Sequence, residues 1–275
     1  MSKKRVLYIT QEIFPFLPEE GIAASVRRLS QGVQEEDKEI RVFMPRFGVV
    51  NERRHQLHEV IRLSGMNLVI DDADHPLIIK VASIPRAKMQ VYFIDNEEYF
   101  KRKSTCKDME GVFHPDNDER AMFFCKGVLE TVKKLGWKPD IVHCHGWMTG
   151  FMPLYLKKMY AADPHFENVK IVYTNYNQGE GGVFNDRVLD KLKFDNFVEE
   201  DIDLLKEPTI ENLNKLGVKW ADAVAIGSET INDKISSYIK ESGKPVLDYQ
   251  TEETLITAHQ DFYNTILEND EILAN

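Results

Sequence analysis

Two hydrophobic periods alternate along this chain, and the alternation predicts its elements. The run Val6-Leu7-Tyr8-Ile9, inside Arg5 to Thr10, suits a strand of a parallel sheet buried on both faces. A loop with two prolines follows, from Phe14 to Gly21. Ile22, Val26, Leu29 and Val33 then recur at helical spacing and predict a helix over Ile22 to Gln34. Arg41 to Met44 reads as the next strand.

The pattern changes between Glu59 and Asp95. Val60 to Leu63, Asn67 to Ile70, Leu77 to Val81 and Val91 to Ile94 are short apolar segments. Gly65 and the stretch Asp71 to Pro76 supply turn chemistry between them, which predicts hairpins inserted into or extending the sheet. Glu97 to Asn117 reads as a loop, with Asn117 as N-cap of a helix over Asp118 to Leu135. Strands are predicted at Asp140 to Cys144, Lys170 to Tyr173, Ala223 to Ile226 and Pro245 to Leu247. Helices are predicted at Met148 to Tyr160, Asn185 to Phe194, Thr209 to Trp220, Glu229 to Lys240 and Thr251 to Leu267. Strands alternating with helices argue for an α/β fold, a mainly parallel sheet with right-handed crossovers.

Composition narrows the function classes. The chain has 275 residues, with 35 basic and 45 acidic side chains and a formal charge of -10. That balance disfavours nonspecific nucleic-acid binding and anionic membranes. The basic start, Met1 to Arg5, precedes an apolar run too short for a signal peptide, and no run approaches membrane-spanning length. Cys106, Cys125 and Cys144 lack CxxC spacing and read as reduced thiols of a cytoplasmic protein.

Candidate chemistry concentrates at Asp140-Ile141-Val142-His143-Cys144-His145-Gly146-Trp147, a buried strand ending in a polar, aromatic corner. Open α/β sheets place ligands at such strand ends. His143 and His145 share one face of the strand, with no carboxylate nearby in sequence, so hydrogen bonding at the edge of the sheet is expected there and no metal. The glycine-rich stretch Gln178-Gly179-Glu180-Gly181-Gly182 lacks the Lys-Ser/Thr of a phosphate loop and reads as a flexible edge of a cleft. Trp147, Tyr99, Phe100 and Tyr176 are either core or platforms for sugar rings, and Glu199-Glu200-Asp201 reads as a solvated helix start. No GxSxG nucleophile elbow is present.

Four ordered segments resemble the N-terminal domain of bacterial glycogen and starch synthases, glycosyltransferases with two Rossmann-like domains. Glu12-Ile13-Phe14-Pro15 is similar to the family's opening after the first strand. Phe93-Ile94-Asp95-Asn96 with Tyr99-Phe100, then Pro115 to Arg120 with Phe123-Phe124, resembles its DNxxxF…DNxxRFxxF pattern. Pro139 to Trp147 resembles PDxxHxHDW, and Lys219 to Val224 with Gly227-Ser228 resembles xxADxVxxVS. The resemblance spans nearly the whole chain. It implies a single N-terminal-type domain of the GT-B class over residues 1–275, Rossmann-like, with helices on both sheet faces and a β-hairpin elaboration. It also implies transfer of glucose from ADP-glucose to an α-1,4-glucan.

The chain departs from the family where the chemistry is carried. The family's Lys-Thr-Gly-Gly-Leu loop becomes Pro18-Glu19-Glu20-Gly21-Ile22. A carboxylate ~5 Å from a diphosphate charge, at an effective dielectric near ~20, repels it by roughly 3 kcal/mol. Glu19 and Glu20 are expected instead to complement the start of the following helix. Gly146 stands where the family has the aspartate of HxHDW, and Tyr176 where it has the histidine of Thr-x-His-Asn, with Asn177 retained. The resemblance therefore places Gly146, Tyr176 and His145 at catalytic positions. It places Pro18, Glu20, Gly21, Tyr99, Asn117, Trp147 and Asn177 at substrate-binding ones. It implies no cofactor, an α-glucan as ligand, and an ADP-sugar bound weakly or not at all. The family's second, nucleotide-binding domain is expected to be absent from the chain. A lone transferase of little or no activity is one expectation. A non-catalytic glucan-binding or regulatory module paired with a synthase, or half of a transferase completed by a separate nucleotide-binding chain, are the others.

Overall fold

The computed structural model describes residues 3–178 and 181–273, the stretch 269–273 by backbone only. Its strands are β1 (Arg5–Thr10), β2 (Glu39–Pro45), β3 (His58–Glu59), β4 (Met66–Ile70), β5 (Ala73–Ile84), β6 (Met89–Asp95), β7 (Ile141–His145), β8 (Lys170–Asn175), β9 (Ala223–Ile226) and β10 (Val246–Leu247). They run in the spatial order β10-β9-β8-β7-β1-β2-β6-β5-β3, with β4 paired to β5. The strands from β10 through β6 pair in parallel, and β3, β4 and β5 are antiparallel additions, as the hairpin pattern predicts. The sheet is thus mixed, with helices on both faces.

Strand β1 pairs with β2 on one side and with β7 on the other, so the direction of winding reverses there. That reversal opens a crevice beyond the C-terminal ends of β1 and β7. Tyr8 pairs with His143, and Thr10 with His145, which in turn pairs with Thr174, so these side chains share one face. The helices Gly21–Glu35 and Leu255–Leu273 pack together over that face, and Tyr263 is fully buried there. Cys144 and Tyr173 point to the opposite face. There the Tyr173 hydroxyl donates to Asn214 (2.8 Å), and the helix Asn117–Leu135 brings Cys125 to the Met148 carbonyl.

The apolar positions Ile22, Val26, Leu29 and Val33 are all buried. Buried ion pairs join the helix Asn117–Leu135 to the segment around Lys191 and Asp195, and one of its lysines also holds the hairpin elaboration through Val69. Lys126 donates to the Val69 carbonyl (2.7 Å) and pairs with Asp195 (2.6 Å), while Lys191 pairs with Asp118 (2.7 Å) and Glu119 (2.6 Å).

Several element boundaries differ from the sequence-based expectation. Asn117 is not a cap. It lies inside the helix Asn117–Leu135, fully buried, its amide donating to the Cys106 carbonyl (2.8 Å) and its oxygen accepting from Arg120 (2.6 Å). The expected helix Met148–Tyr160 breaks into a 3-10 turn Trp147–Thr149, an α turn Met152–Leu154 and a π turn Tyr155–Met159. Pro153 supplies no backbone N–H and so interrupts the regular ladder there. The helix expected from Glu229 starts at Asp233, because Asn232 accepts from the amides of Lys234 and Ile235. The helix expected from Asn185 starts at Val188, and the last helix runs Leu255–Leu273. Of the acid run, Glu199 and Glu200 are exposed, but Asp201 is buried and pairs with Lys158 (2.7 Å).

Candidate functional site

The crevice is built from four strand ends. β1 delivers Gln11 and Glu12, β7 delivers Gly146 and Trp147, β8 delivers Tyr176 and Asn177, and β9 delivers Gly227 and Ser228. Each follows a buried strand whose ladder fixes its position, and the turns also touch one another, the Asn177 N–H donating to Ser228 Oγ (3.0 Å).

Beneath the crevice lies a layer of neutral imidazoles. The rings of His143 and His145 are 3.9 Å apart, and His259, from the last helix, is 5.6 Å from His143. Burial holds the pKa of His143 and His145 well below the ordinary histidine value, with further depression from the neighbouring imidazoles. Burial lowers that of His259 to about 4. Both nitrogens of His143 are used, one with Tyr263 (2.6 Å) and the other with Thr174 (2.6 Å). The expected hydrogen bonding is present, but on a central strand rather than a sheet edge. His145 bonds Tyr176 through Nδ1 (2.8 Å), and its buried Nε2 has no partner.

Gly146 occupies a backbone conformation that glycine alone adopts readily, φ +85°. A Cβ added there would sit 2.9 Å from Ile22 Cδ1 and 3.0 Å from Gln11 Cβ. Tyr176 is equally fitted. A Cβ on Gly227 would come within 2.4 Å of its ring, so the glycine makes the space that the tyrosine fills. The donor-loop residues contrast with these: Pro18, Glu19, Glu20 and Gly21 are all exposed. Glu20 holds the N-cap position of the helix Gly21–Glu35, yet its side chain makes no capping hydrogen bond. Solvent screening reduces the repulsion expected from these carboxylates.

The rim contains two principal cavities. One, of ≈ 530 Å³, has Gln11, Cys106, Phe113, Trp147, Asn177 and Gln178 among its lining. Phe113, Trp147 and Phe184 cluster there, with centroids 5.4 to 5.7 Å apart. The other, of ≈ 330 Å³, lies between Gly21, His145, Thr174, Tyr176, Ser228 and His259. Gly181 and Gly182 border a smaller cleft beyond Tyr176, while Gly179 and Glu180 lie outside the described residues.

The structure thus brings Gly21, His145, Gly146, Trp147, Tyr176 and Asn177 to one rim. It does not bring Tyr99 and Asn117 there. Tyr99 is buried, its hydroxyl bonded to His75 (3.0 Å) and donating to Glu119 (3.0 Å). Phe100 is fully buried. Sequence reasoning missed Gln11, Glu12, Thr174, Asn175 and His259. The amide of Asn175 is buried with both polar atoms unpartnered, and burial and the nearby Glu20 raise the pKa of Glu12 despite its bond from Gln11 (2.9 Å). Position at a strand end was the available signal for all but His259, which comes from a helix remote in sequence. Cys106, Cys125 and Cys144 are unpaired and buried, and burial raises Cys106 to about 12. No helix among the described residues is long and apolar enough to cross a membrane.

Comparison with known proteins is consistent over most of the chain. The profile of the starch synthase catalytic domain matches residues 5–248. Glycogen synthase of Chlorobium limicola is 37% identical over 234 residues, covering 84% of this chain and 47% of that protein. Glycogen synthase of Chlorobaculum tepidum is 38% identical over 226 residues, covering 82% and 46%. The chain spans about half the length of the curated relatives it matches. The catalytic domain of starch synthase IV from Arabidopsis thaliana, bound to ADP and acarbose, superposes with a TM-score of 0.73 at 17% identity, over 91% of this chain and 52% of that one.

Proposed function

The chain belongs to the starch synthase catalytic domain family, and on that premise we propose that it presents the glucan-side surface of a glucosyltransferase while transferring glucose weakly or not at all by itself. The observation that carries this reading is Gly146. Its φ of +85° strains any side chain, and a Cβ there would require Ile22 and Gln11 to shift, so the carboxylate that the family pattern has there is disfavoured. Tyr176 fills the space over Gly227, so the tyrosine is a fitted part of the corner. Without that carboxylate, and without a lysine at Pro18, the cleft has neither of the charged groups that the resemblance assigns to this domain. Half-buried Phe113, backed by buried Trp147, gives the cavity beside them an aromatic patch for the apolar face of a sugar ring.

A second reading is supported by the rim of that cavity. Met109, Val112 and Val183 are exposed apolar residues flanking Phe113 and Phe184. They fit a partner chain docked over the cleft, either a synthase that this domain regulates or a separate nucleotide-binding chain.

Native electrophoresis in glycogen-containing gels and calorimetry with ADP-glucose test the proposal together. Retardation by glycogen is expected, lost in Trp147→Ala, with ADP-glucose affinity weaker than micromolar. Micromolar ADP-glucose binding, or glucosyl transfer at a rate typical of enzymes, overturns it.

A further inference from the structure

A separate cavity, of ≈ 210 Å³, lies at the opposite end of the sheet from the crevice. It is bounded by the first residues of β2, Glu39 to Arg41, by Lys88 and Gln90 at the start of β6, and by Gln34 near the end of the helix Gly21–Glu35. The glucan reading makes no use of it.

Its chemistry begins in the order of residues along β2. Strand alternation places Arg41 on the same face as Phe43. Phe43 stacks on Tyr92 of β6, with centroids 4.8 Å apart. The Arg41 guanidinium is held between two aromatic side chains, 5.5 Å from the centroid of Tyr92 and 5.2 Å from that of Trp137. Its Nη1 donates to the Tyr92 hydroxyl, which borders the cavity and still has its own proton to donate. Opposite, the 3-10 turn Pro85–Ala87 is closed by Lys88, whose left-handed backbone (φ +51°) leads the chain into β6. Lys88 is exposed and borders the same cavity.

The charges around the cavity are unequal. Its one carboxylate, Glu39, is fully engaged, one oxygen accepting from Arg5 (3.0 Å) and the other from Trp137 (2.5 Å). Arg5 offsets its charge. Among the described residues, no carboxylate lies within ion-pair distance of Arg41 or Lys88. Two cations without acidic partners thus face one small space, on a chain whose formal charge is -10. The cavity beside His259 differs, since its one cation, Arg28, is paired with Glu252. An anion seated between like charges relieves their repulsion and gains attraction from both. A guanidinium already fixed between rings loses little freedom on binding, and its donors match the oxygens of a phosphate group. We propose that this cavity is an anion site, taking a phosphate group, as the free ion or a small monoester, between Arg41 and Lys88. Its volume is below the usual range for larger organic ligands, which suits an occupant of that size.

Calorimetric titration of the full chain with inorganic phosphate and with glycerol 3-phosphate, against a chloride background of equal ionic strength, tests it. At least one of them binds in the millimolar range or tighter, and more weakly as salt is added. The tighter of the two identifies the source, free ion or monoester. Arg41 Nε is buried and without a partner, and its N–H signal in nitrogen-resolved NMR shifts on binding. Lys88→Asn removes the charge with a residue that also accepts a left-handed backbone, and weakens binding at least about tenfold. Arg41→Gln does the same, and the exposed Lys88 variant keeps the test open if loss of the stacked guanidinium disturbs folding. Absence of binding by both anions through the tens of millimolar overturns the proposal. So does undiminished binding in Lys88→Asn, or an Arg41 signal that stays in place at saturation. Glycogen retardation and its loss in Trp147→Ala report on the other end of the sheet and stay as they are in Lys88→Asn, so failure of one reading leaves the other standing.

Discussion

The two family-divergent regions of the crevice differ in how they are built. The turn Pro18-Glu19-Glu20-Gly21 is exposed, and its substituted side chains touch little. The corner formed by His143 to Trp147 and Tyr176 is buried, and each replacement is matched by a neighbour: Gly146 by Ile22 and Gln11, Tyr176 by Gly227 and His145. A change in an exposed loop can be reversed at small structural cost. A change inside a packed layer cannot, because interiors are close-packed and neighbours occupy the space. Substitution in the exposed turn is thus mainly a change of charge, whereas substitution at Gly146 is a change of shape.

Acid should separate the two regions most strongly. His143, His145 and His259 are neutral in the fold, with pKa values below the unfolded value near 6.5. The unfolded chain therefore binds protons first. Stability is level above about pH 7, declines as pH falls through about 6.5, and levels again only below the folded values. From His259 alone, the loss by about pH 5 is about 2 kcal/mol. Urea midpoints measured between neutral pH and that point should fall steeply, and His259→Leu should reduce the slope by up to about one proton. A flat profile would mean that the imidazole layer is hydrated and the corner no more rigid than the loop.

Gly146→Asp comes next. Positive φ in a side-chain-bearing residue and a Cβ at 2.9 Å from Ile22 together should cost about 3 kcal/mol. Ile22→Val in the same chain should return part of that loss by shortening the opposing side chain. An aspartate variant as stable as the parent, with restored ADP-glucose affinity, would break the comparison, since the corner would then be as plastic as the loop.

The smallest effect belongs to Pro18→Lys with Glu20→Gly. Both positions are exposed, and glycine is tolerated at an N-cap, so the change in stability should stay within about 0.5 kcal/mol. Binding of ADP-glucose should rise measurably by calorimetry and weaken with added salt. No rise would show that the corner alone governs the donor side.

Element type was legible wherever hydrophobic period was strong. The helix over Gly21–Glu35, the hairpins around β4 and β5 and the parallel strands follow from patterns that burial alone rewards. The failures have local causes. Asn117 has the composition of a cap but serves Cys106 and Arg120 in the interior, and Pro153 breaks a helix whose apolar pattern continues through it. Tyr99 belongs to a matched motif, yet its hydroxyl is spent on His75 and Glu119. A motif reports which residues occur together, and burial decides which of them meet a ligand.

The sequence by itself determined the α/β class, the family, and the identity of the residues missing from the familiar pattern, because strand runs, helical spacing and motif order are properties of the chain read in line. The tertiary structure decided how tightly the divergent positions are packed, which aromatics reach the crevice, and that His259 closes a cavity against β7 and β8. These depend on contacts between segments far apart in the chain, such as His143 with Tyr263 and Gly227 with Tyr176, where packing and hydrogen-bond satisfaction are settled only once the sheet and its covering helices are in place.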